Sequence, residues 1–333
     1  MRREARRLRA TEATASDVQR WDELVVATGE PHVLQSVAWA DLKAATGWSV
    51  RRFVLDGGVA QVLVKSLPLG ISVAYAPRGP LVAPDRLADA ITALREALAR
   101  ERFASLLCDP EVRDDPDVRA SLERVGVRAS PVFVQPRRTL LMDLSKGDEQ
   151  LLGAMKKKTR QYIHKAERAG VVTEETRDLD RFMNVLGAVA KRDRFAIRSR
   201  EYFERLLAAF GECALLMIAR LGDDDAGAML LVRMADRAWE LYGGWSGAHA
   251  DARPFYLLKW RAMLRMRQLG VRRYDMYGLA EGADDPLAGV ENFKLGYAGN
   301  VAEWIGALET PVRSVLYPLW RLGARRRLAR SAA

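Results

Sequence analysis

Four segments of the chain combine residue types and spacings that can do chemistry. In Gly289-Val-Glu-Asn-Phe293-Lys294-Leu-Gly296-Tyr297 a single lysine stands between an aromatic residue and a glycine. An ammonium held there serves as a point charge for a phosphate or for a developing oxyanion. In Lys191-Arg-Asp-Arg-Phe195-Ala-Ile-Arg198-Ser-Arg-Glu-Tyr202, Arg198 and Tyr202 are four apart and share a face if the segment is helical. A planar guanidinium beside a phenol suits a carboxylate or a diphosphate, although a surface arginine over a core tyrosine has the same spacing. Glu240-Leu-Tyr242-Gly243-Gly244-Trp245-Ser246 reads as a strand end whose paired glycines let a ligand or another backbone approach closely. Lastly, Lys156, Lys157, Lys158, Arg160, Lys165 and Arg168 stand against Glu167 alone, six positive charges less one negative, or +5. That run is either a solvated helix face or a phosphate-binding surface.

Other chemistries find no residues to carry them. The three histidines, His32, His164 and His249, sit in no nucleophile context, and no Gly-x-Ser-x-Gly elbow occurs. Histidines and cysteines are too scattered for a zinc signature, and there is no Gly-x-x-x-x-Gly-Lys-Ser/Thr loop. Gly222-Asp-Asp-Asp-Ala-Gly227 reads as a polar hairpin turn. What remains is chemistry by positioning, oxyanion stabilisation and proton transfer.

The bulk composition permits this. The 333 residues make room for two domains, and 49% hydrophobic with 29% charged is an ordinary globular balance. A net charge of +10 favours polyanionic partners, though arginine-rich coding bias produces the same balance. Cys108 and Cys213 each lie in an apolar run and read as buried thiols of a reducing compartment. No apolar run is long enough to span a bilayer, and the charged start is followed by no signal-like apolar region, so a cytoplasmic protein is expected.

The elements that must position these residues are legible in outline. Thr14 to Thr28 reads as a helix with Asp17 as its cap, and Arg51 to Ser66 as a hairpin around Asp56-Gly57-Gly58. A strand over Ile71–Tyr75, a helix over Leu87–Arg102, a strand over Phe103–Cys108 and a short helix over Pro116–Val125 follow. After Pro131 to Arg138 the pattern resets with a strand over Thr139–Leu144. Asp148 to Ala169 reads as one helix, with Leu152, Met155, Tyr162, Ile163 and Ala166 on an apolar stripe. Helices over Asp180–Ala190 and Arg200–Phe210, strands over Ala214–Ala219, Ala226–Met234 and Arg237–Tyr242, a helix over Phe255–Leu269 and a strand over Tyr274–Tyr277 complete the pattern. The second half repeats the element order of the first, which predicts two similar α/β units in tandem.

In order along the chain, these segments resemble the Fem (FemA/FemB/FemX) family of peptidoglycan bridge-forming aminoacyltransferases. The resemblance begins with Gln35-Ser-Val-Ala-Trp39-Ala-Asp-Leu-Lys43, Tyr75-Ala-Pro-Arg-Gly79-Pro80 and Asp109-Pro-Glu-Val112. It continues with Lys158-Thr-Arg160-Gln-Tyr-Ile-His-Lys165-Ala, Arg198 with Tyr202, Tyr242-Gly-Gly-x-Ser, Tyr274-Asp-Met-Tyr-Gly and Phe293-Lys294-Leu-Gly-Tyr297. It implies an α/β (α+β) fold of two tandem GNAT-like acyltransferase domains with a cleft between them, here 1–137 plus 305–333 and 138–304. It implies transfer from aminoacyl-tRNA to the side-chain amine of the third stem-peptide residue of UDP-MurNAc-pentapeptide or its lipid-linked form.

By resemblance Lys43, Arg198, Tyr202 and Tyr242 hold the UDP-muramyl part, Lys294 sits near the reacting carbonyl, and Asp109 matches a carboxylate proposed as base. The donor ester is already activated, so no cofactor is expected. From charge alone, Lys156, Lys157, Lys158, Arg160 and Lys165 are candidates for tRNA phosphates. The arginine-rich tail from Arg321 to Arg330 could bind tRNA or lie on the anionic inner membrane face. No heptads separate Ala190 from Phe195, which matches the compact branch that lacks a coiled-coil arm. Two other readings fit parts of the sequence. One is an acyl-CoA N-acyltransferase of the same fold, against which no Arg/Gln-x-x-Gly-x-Gly/Ala loop is found; the other is a non-catalytic RNA- or membrane-binding module.

Overall fold

The structure, a computed structural model, describes residues 8–132, 134–193, 196–282, 285, 288–318 and 320–321. It divides into two compact units, Met1–Arg137 with Glu303–Ala333, and Arg138–Ala302.

The first unit carries strands β1 (Ala10–Glu12), β2 (Ser49–Leu55), β3 (Gly58–Leu67), β4 (Ile71–Ala76), β5 (Phe103–Cys108) and β6 (Arg128–Ala129). Its helices are α1 (Ala15–Gln19), α2 (Trp21–Ala27), α3 (Val37–Ala44), α4 (Leu87–Leu98) and α5 (Pro116–Arg124). The segment Leu308–Pro311 returns to this unit and lies between β5 and β6, antiparallel to both. Among the described residues of this sheet only β4 and β5 pair in parallel, and α4 makes the crossover that a parallel pair requires. Leu87, Ile91, Leu94 and Leu98 recur at helical spacing and are fully buried against the sheet, each worth about 2 kcal/mol.

The second unit opens with β7 (Arg138–Asp143), α6 (Asp148–Ala154), α7 (Lys157–Arg168), β8 (Val172–Thr176), α8 (Leu179–Asp193) and α9 (Arg200–Phe210). Then come β9 (Ala214–Leu221), β10 (Asp224–Met234), β11 (Arg237–Trp245), α10 (Pro254–Gln268), β12 (Arg273–Asp275), α11 (Ala288–Lys294) and β13 (Asn300–Glu303). The sheet order is β13-β7-β12-β11-β10-β9-β8. Here too an antiparallel run (β9, β10, β11) leads through a helix, α10, into a parallel partner, β12. The tandem repetition read in the sequence is therefore present in the topology. Only residues 194–199 separate α8 from α9, so no coiled-coil arm is inserted there.

Several local expectations are corrected. The helix expected over 148–169 is two helices. Met155 and Lys156 are extended (ψ 153 and 141), because the Lys156 amide donates to Gly296 O at 2.9 Å instead of to its own turn. Arg160 then donates to Gly153 O at 2.9 Å and to Met155 O, satisfying carbonyls that the break leaves open. The helix expected over 14–28 is likewise split. Its cap is Thr14, and Asp17 is the reciprocal partner of a capping box, accepting from the Thr14 amide at 3.0 Å. At the start of α6 the capping glycine has no side chain, so only the half from Gln150 to the Gly147 amide forms, at 3.4 Å. Arg198 precedes α9, whose cap is Ser199. Helix α11 and strands β8 and β13 had no periodic signal.

Candidate active site

Within the second unit, Lys294 ends α11, and its ammonium donates to the carbonyls of Tyr277 and, at 2.7 Å, Gly278. Both carbonyls belong to a turn in the left-handed region, with φ of 53° at Tyr277 and 31° at Gly278. Asp275 stabilises this turn: it is buried at the end of β12, accepts the Tyr277 amide at 2.7 Å and also accepts the Thr139 hydroxyl. Strain of this kind persists only where neighbours over-determine it. Lys294 is half-buried, and its pKa falls to about 8, first because of burial and then because of Lys259, with Glu240 and Asp275 opposing.

Lys259 and Glu240 form a buried ion pair, 2% and 9% exposed. The second Glu240 oxygen accepts the Tyr274 hydroxyl at 2.8 Å. Aromatic rings enclose this charge. Phe293 stacks on Phe255 at 5.6 Å and meets Tyr256 edge-on at 4.7 Å, while the Lys259 ammonium lies 5.6 Å from the Phe293 ring. Tyr256 in turn meets Tyr162 of α7 at 4.9 Å. Sequence reasoning missed Asp275, Glu240 and Lys259. Asp275 and Glu240 stand inside the quoted Tyr274-Asp-Met-Tyr-Gly and Glu240-Leu-Tyr242 segments without having been given a role, and the signal for Lys259 was a lysine in the otherwise apolar run Leu257-Leu258-Lys259-Trp260.

A β-bulge connects this cluster to a second one. Leu230 pairs with Tyr242 and Leu231 with Glu240, leaving Leu241 extra. Regular alternation would send Glu240 and Tyr242 to one face; the bulge lets Glu240 reach α10 while Tyr242 reaches α9. The Tyr242 hydroxyl donates to the Tyr202 hydroxyl at 3.1 Å, and the Arg198 guanidinium lies 5.5 Å from the Tyr202 ring. So Arg198, Tyr202 and Tyr242 do come together, although Arg198 is not helical. Tyr202 is buried, and burial pushes its phenol far up, keeping it neutral. Among the described residues no carboxylate pairs with Arg198, which leaves its charge available to an anion. The paired glycines are explained by close packing within the unit: a Cβ on Gly243 would lie 2.6 Å from Ala228 O, and one on Gly244 2.9 Å from the Val189 side chain.

Lys156, Lys157, Lys158 and Lys165 of the basic run are exposed, and among the described residues none is paired with a carboxylate. Neighbouring arginines are neutralised: Arg261 by Glu167 at 3.0 Å, Arg265 by Glu175 at 2.5 Å and Arg267 by Asp148 at 2.6 Å. The unbalanced charge is thus concentrated on the α7 lysines, while Arg160 is committed to the α6–α7 break.

The remaining two candidates belong to the first unit. Asp109 is 2% exposed, and accepts the Tyr75 hydroxyl at 2.7 Å and the Arg78 amide at 2.7 Å. Burial raises its pKa against those bonds and the nearby Arg78 charge. Arg78 is buried at φ 52° and donates to Pro136 O at 2.8 Å, while Gln35 bonds Pro77 O at 2.7 Å, so the first motifs build one buried network around Asp109. Lys43 lies on α3 with its ammonium 4.6 Å from the Trp39 ring. The tail beyond Arg321 lies outside the described residues, as does most of the basic stretch read there. No helix among the described residues is long and apolar enough to cross a membrane.

Comparison with known proteins bears on the fold and the family. Lipid II:glycine glycyltransferase of Staphylococcus aureus (strain MRSA252) is 28% identical over 214 residues, covering 58% of this chain and 51% of that protein. The chain therefore spans about half the length of that curated relative. The crystal structure of FemX superposes with a TM-score of 0.82 at 22% identity, covering 93% of this chain and 99% of that one. A tandem GNAT protein from the clavulanic acid biosynthesis pathway gives a TM-score of 0.51 at 17% identity, covering 92% and 99%. These likenesses establish the fold as a tandem GNAT-like one. The FemAB family model matches residues 16–115, 126–226 and 222–324, and with so much of its length accounted for the chain belongs to the FemAB family.

Proposed function

We propose that this chain is a tRNA-dependent aminoacyltransferase that extends the stem peptide of a peptidoglycan precursor, forming interpeptide bridges. The observation that carries the reading is the association, within one unit, of the Lys294 carbonyl cradle with an unneutralised lysine surface on α7. Membership of the FemAB family and the glycyltransferase relative support the acceptor class.

The reaction is aminolysis of an ester. The neutral acceptor amine attacks the carbonyl carbon, a tetrahedral oxyanion forms, and as it collapses the bond to the ribose oxygen breaks and the proton shed by the nitrogen ends on the departing ribose hydroxyl. Lysine has three N–H donors. Tyr277 O and Gly278 O take two, which leaves the third to donate to the oxyanion, an interaction worth about 3 kcal/mol. Arg198, with Tyr202 and Tyr242, binds the diphosphate of the acceptor, and the α7 lysines bind donor phosphates. Asp109 fits a positioning duty better than that of base, because its oxygens are already engaged.

The test is to incubate the protein with a pool of aminoacyl-tRNAs and UDP-MurNAc-pentapeptide or its lipid-linked form, and to weigh the product. A mass gain of one amino acid, abolished by RNase, is expected. Transfer that requires acyl-CoA and survives RNase would overturn the reading.

A further inference from the structure

Arg253 holds a backbone conformation that residues with a side chain rarely adopt. Its φ is 58°, and that of His249 in the same loop is 52°. The loop joins β11 to α10 and is pinned at three places. Trp245 Nε1 donates to Ala248 O at 2.6 Å, Arg192 donates to Trp245 O at 2.6 Å, and His249 Nε2 lies 2.9 Å from Asp224 Oδ2. Left-handed backbone of this kind persists only where its surroundings enforce it, and such positions gather at ligand sites.

What the loop delivers is a guanidinium over the Tyr162 ring of α7, 4.6 Å from its centroid. The Lys158 ammonium lies 5.6 Å from the same ring. Arg253 Nε is buried with no partner, so the guanidinium is held by the ring and not by a hydrogen bond. Among the described residues neither cation pairs with a carboxylate, and the Tyr162 hydroxyl makes no hydrogen bond. Elsewhere on α7 such groups are matched: Glu167 takes Arg261 and His164, each at 3.0 Å, and Arg160 bonds two carbonyls. An arginine that merely covered a tyrosine would need neither an enforced backbone nor a second unmatched cation beside it. From this cluster a run of contacting rings leads to the carbonyl cradle. Tyr162 meets Tyr256 at 4.9 Å, Tyr256 meets Phe293 at 4.7 Å, and Phe293 precedes Lys294.

We propose that Arg253, Lys158 and Tyr162 form a seat for a phosphodiester of single-stranded RNA, at the end of the donor that carries the ester. The planar fork of Arg253 suits two phosphate oxygens, Lys158 adds a point charge, and the Tyr162 hydroxyl adds a donor. Lys158 belongs both to this seat and to the unneutralised lysine surface of α7, so one strand engages both. The diphosphate of the acceptor has its own ligands in Arg198, Tyr202 and Tyr242. The placing of the ester beside Lys294 rests on the transferase reading above; the phosphate seat does not.

The test titrates the full chain with a short single-stranded RNA ending in cytidine-cytidine-adenosine, by fluorescence anisotropy at several salt concentrations, and separately with UDP. Arg253→Met should weaken RNA binding about tenfold, the loss expected for one charge-assisted contact. It should also flatten the dependence of log K on log salt by about 0.7, the share of one phosphate on a single strand, and leave UDP binding unchanged. Arg253→Lys should restore the salt dependence, and Tyr162→Phe should lose affinity without altering it. In transfer assays, Arg253→Met should raise KM for aminoacyl-tRNA and leave KM for the precursor in place. RNA affinity and salt dependence that match the wild type, or a loss of UDP binding instead, would overturn the proposal, because an arginine that only covers Tyr162 moves the melting temperature alone. If Arg253→Met does not fold, Lys158→Met and Tyr162→Phe decide. Weakened RNA binding in a protein that transfers nothing from any aminoacyl-tRNA would sink the proposed function and leave the phosphate seat standing. Transfer with an unchanged KM for aminoacyl-tRNA in Arg253→Met would do the reverse.

Discussion

Gly296 lies so close to Thr159 that a Cβ on the glycine would stand 2.3 Å from the threonine Oγ1. The basic helix α7 is thereby seated on the segment that carries Lys294, and the Lys156 amide bonds the Gly296 carbonyl at the same junction. Gly296→Ala should cost about 1–3 kcal/mol by overpacking and lower transfer. The partner change Thr159→Ala removes the clashing oxygen, so the double variant should recover most of both losses. Chemical denaturation of the four members of that cycle measures the coupling; strict additivity would contradict the close approach.

Removing the cradle's cation should abolish its function without dismantling the unit. Lys294→Met is expected to lower kcat by about 100- to 1,000-fold, the usual loss for one oxyanion donor. Lys294→Arg should be nearly as poor, because the longer planar guanidinium cannot place an N–H where the compact ammonium holds its third donor. Single-turnover transfer rates at saturating acceptor would decide this, and wild-type rates in either variant would remove Lys294 from the mechanism.

The same lysine has a stability signature. Its folded pKa of about 8 lies below the ordinary lysine value of 10.5, so between those values the unfolded chain binds more protons than the folded one. Stability should therefore rise with pH from about 8 to 10.5, relative to Lys294→Met. Paired urea titrations across that range test it, and a falling difference would mean the sign is wrong.

On α7, charge and structure are separable. Lys157→Glu with Lys158→Glu should weaken RNA binding and flatten the dependence of log K on log salt by about one unit for each phosphate no longer neutralised. Arg160→Ala should instead lower stability, because it uncaps Gly153 O and Met155 O. Filter binding at several salt concentrations, set beside thermal melts, tells the two apart.

Asp109→Asn should cost about 1–3 kcal/mol, since one of its accepting oxygens becomes a donor facing the Tyr75 hydroxyl or the Arg78 amide. A base would instead lose turnover at unchanged stability, with a changed pH profile. Melting temperature and pH profile, measured together, separate the roles.

What the sequence made visible follows from what is local. The strand Phe103–Cys108 and the helix Arg200–Phe210 match their expected limits, because hydrophobic period and turn residues act over a few positions. The break at Met155 was not visible, because it answers to the Gly296 carbonyl, which arrives from far along the chain. Arg198 and Tyr202 were expected together through helical spacing and meet instead through a capped turn at Ser199. Asp275, Glu240 and Lys259 carry no spacing signature at all. Their relation is made by three elements packing, and by a bulge that turns one side chain onto a different face.

The placing of Leu308–Pro311 between β5 and β6 has a consequence for synthesis. Ser105 bonds Glu309 across 204 residues of chain, so the first unit closes its sheet through a pairing of very high sequence separation. A nascent chain presents β5 with an open edge throughout translation of the second unit, which is continuous in sequence and can fold as soon as it emerges. Synthesis order and folding order are thus inverted: the half made first is finished last, and shielding of that bare strand by a chaperone matters most while the ribosome is still adding the other half.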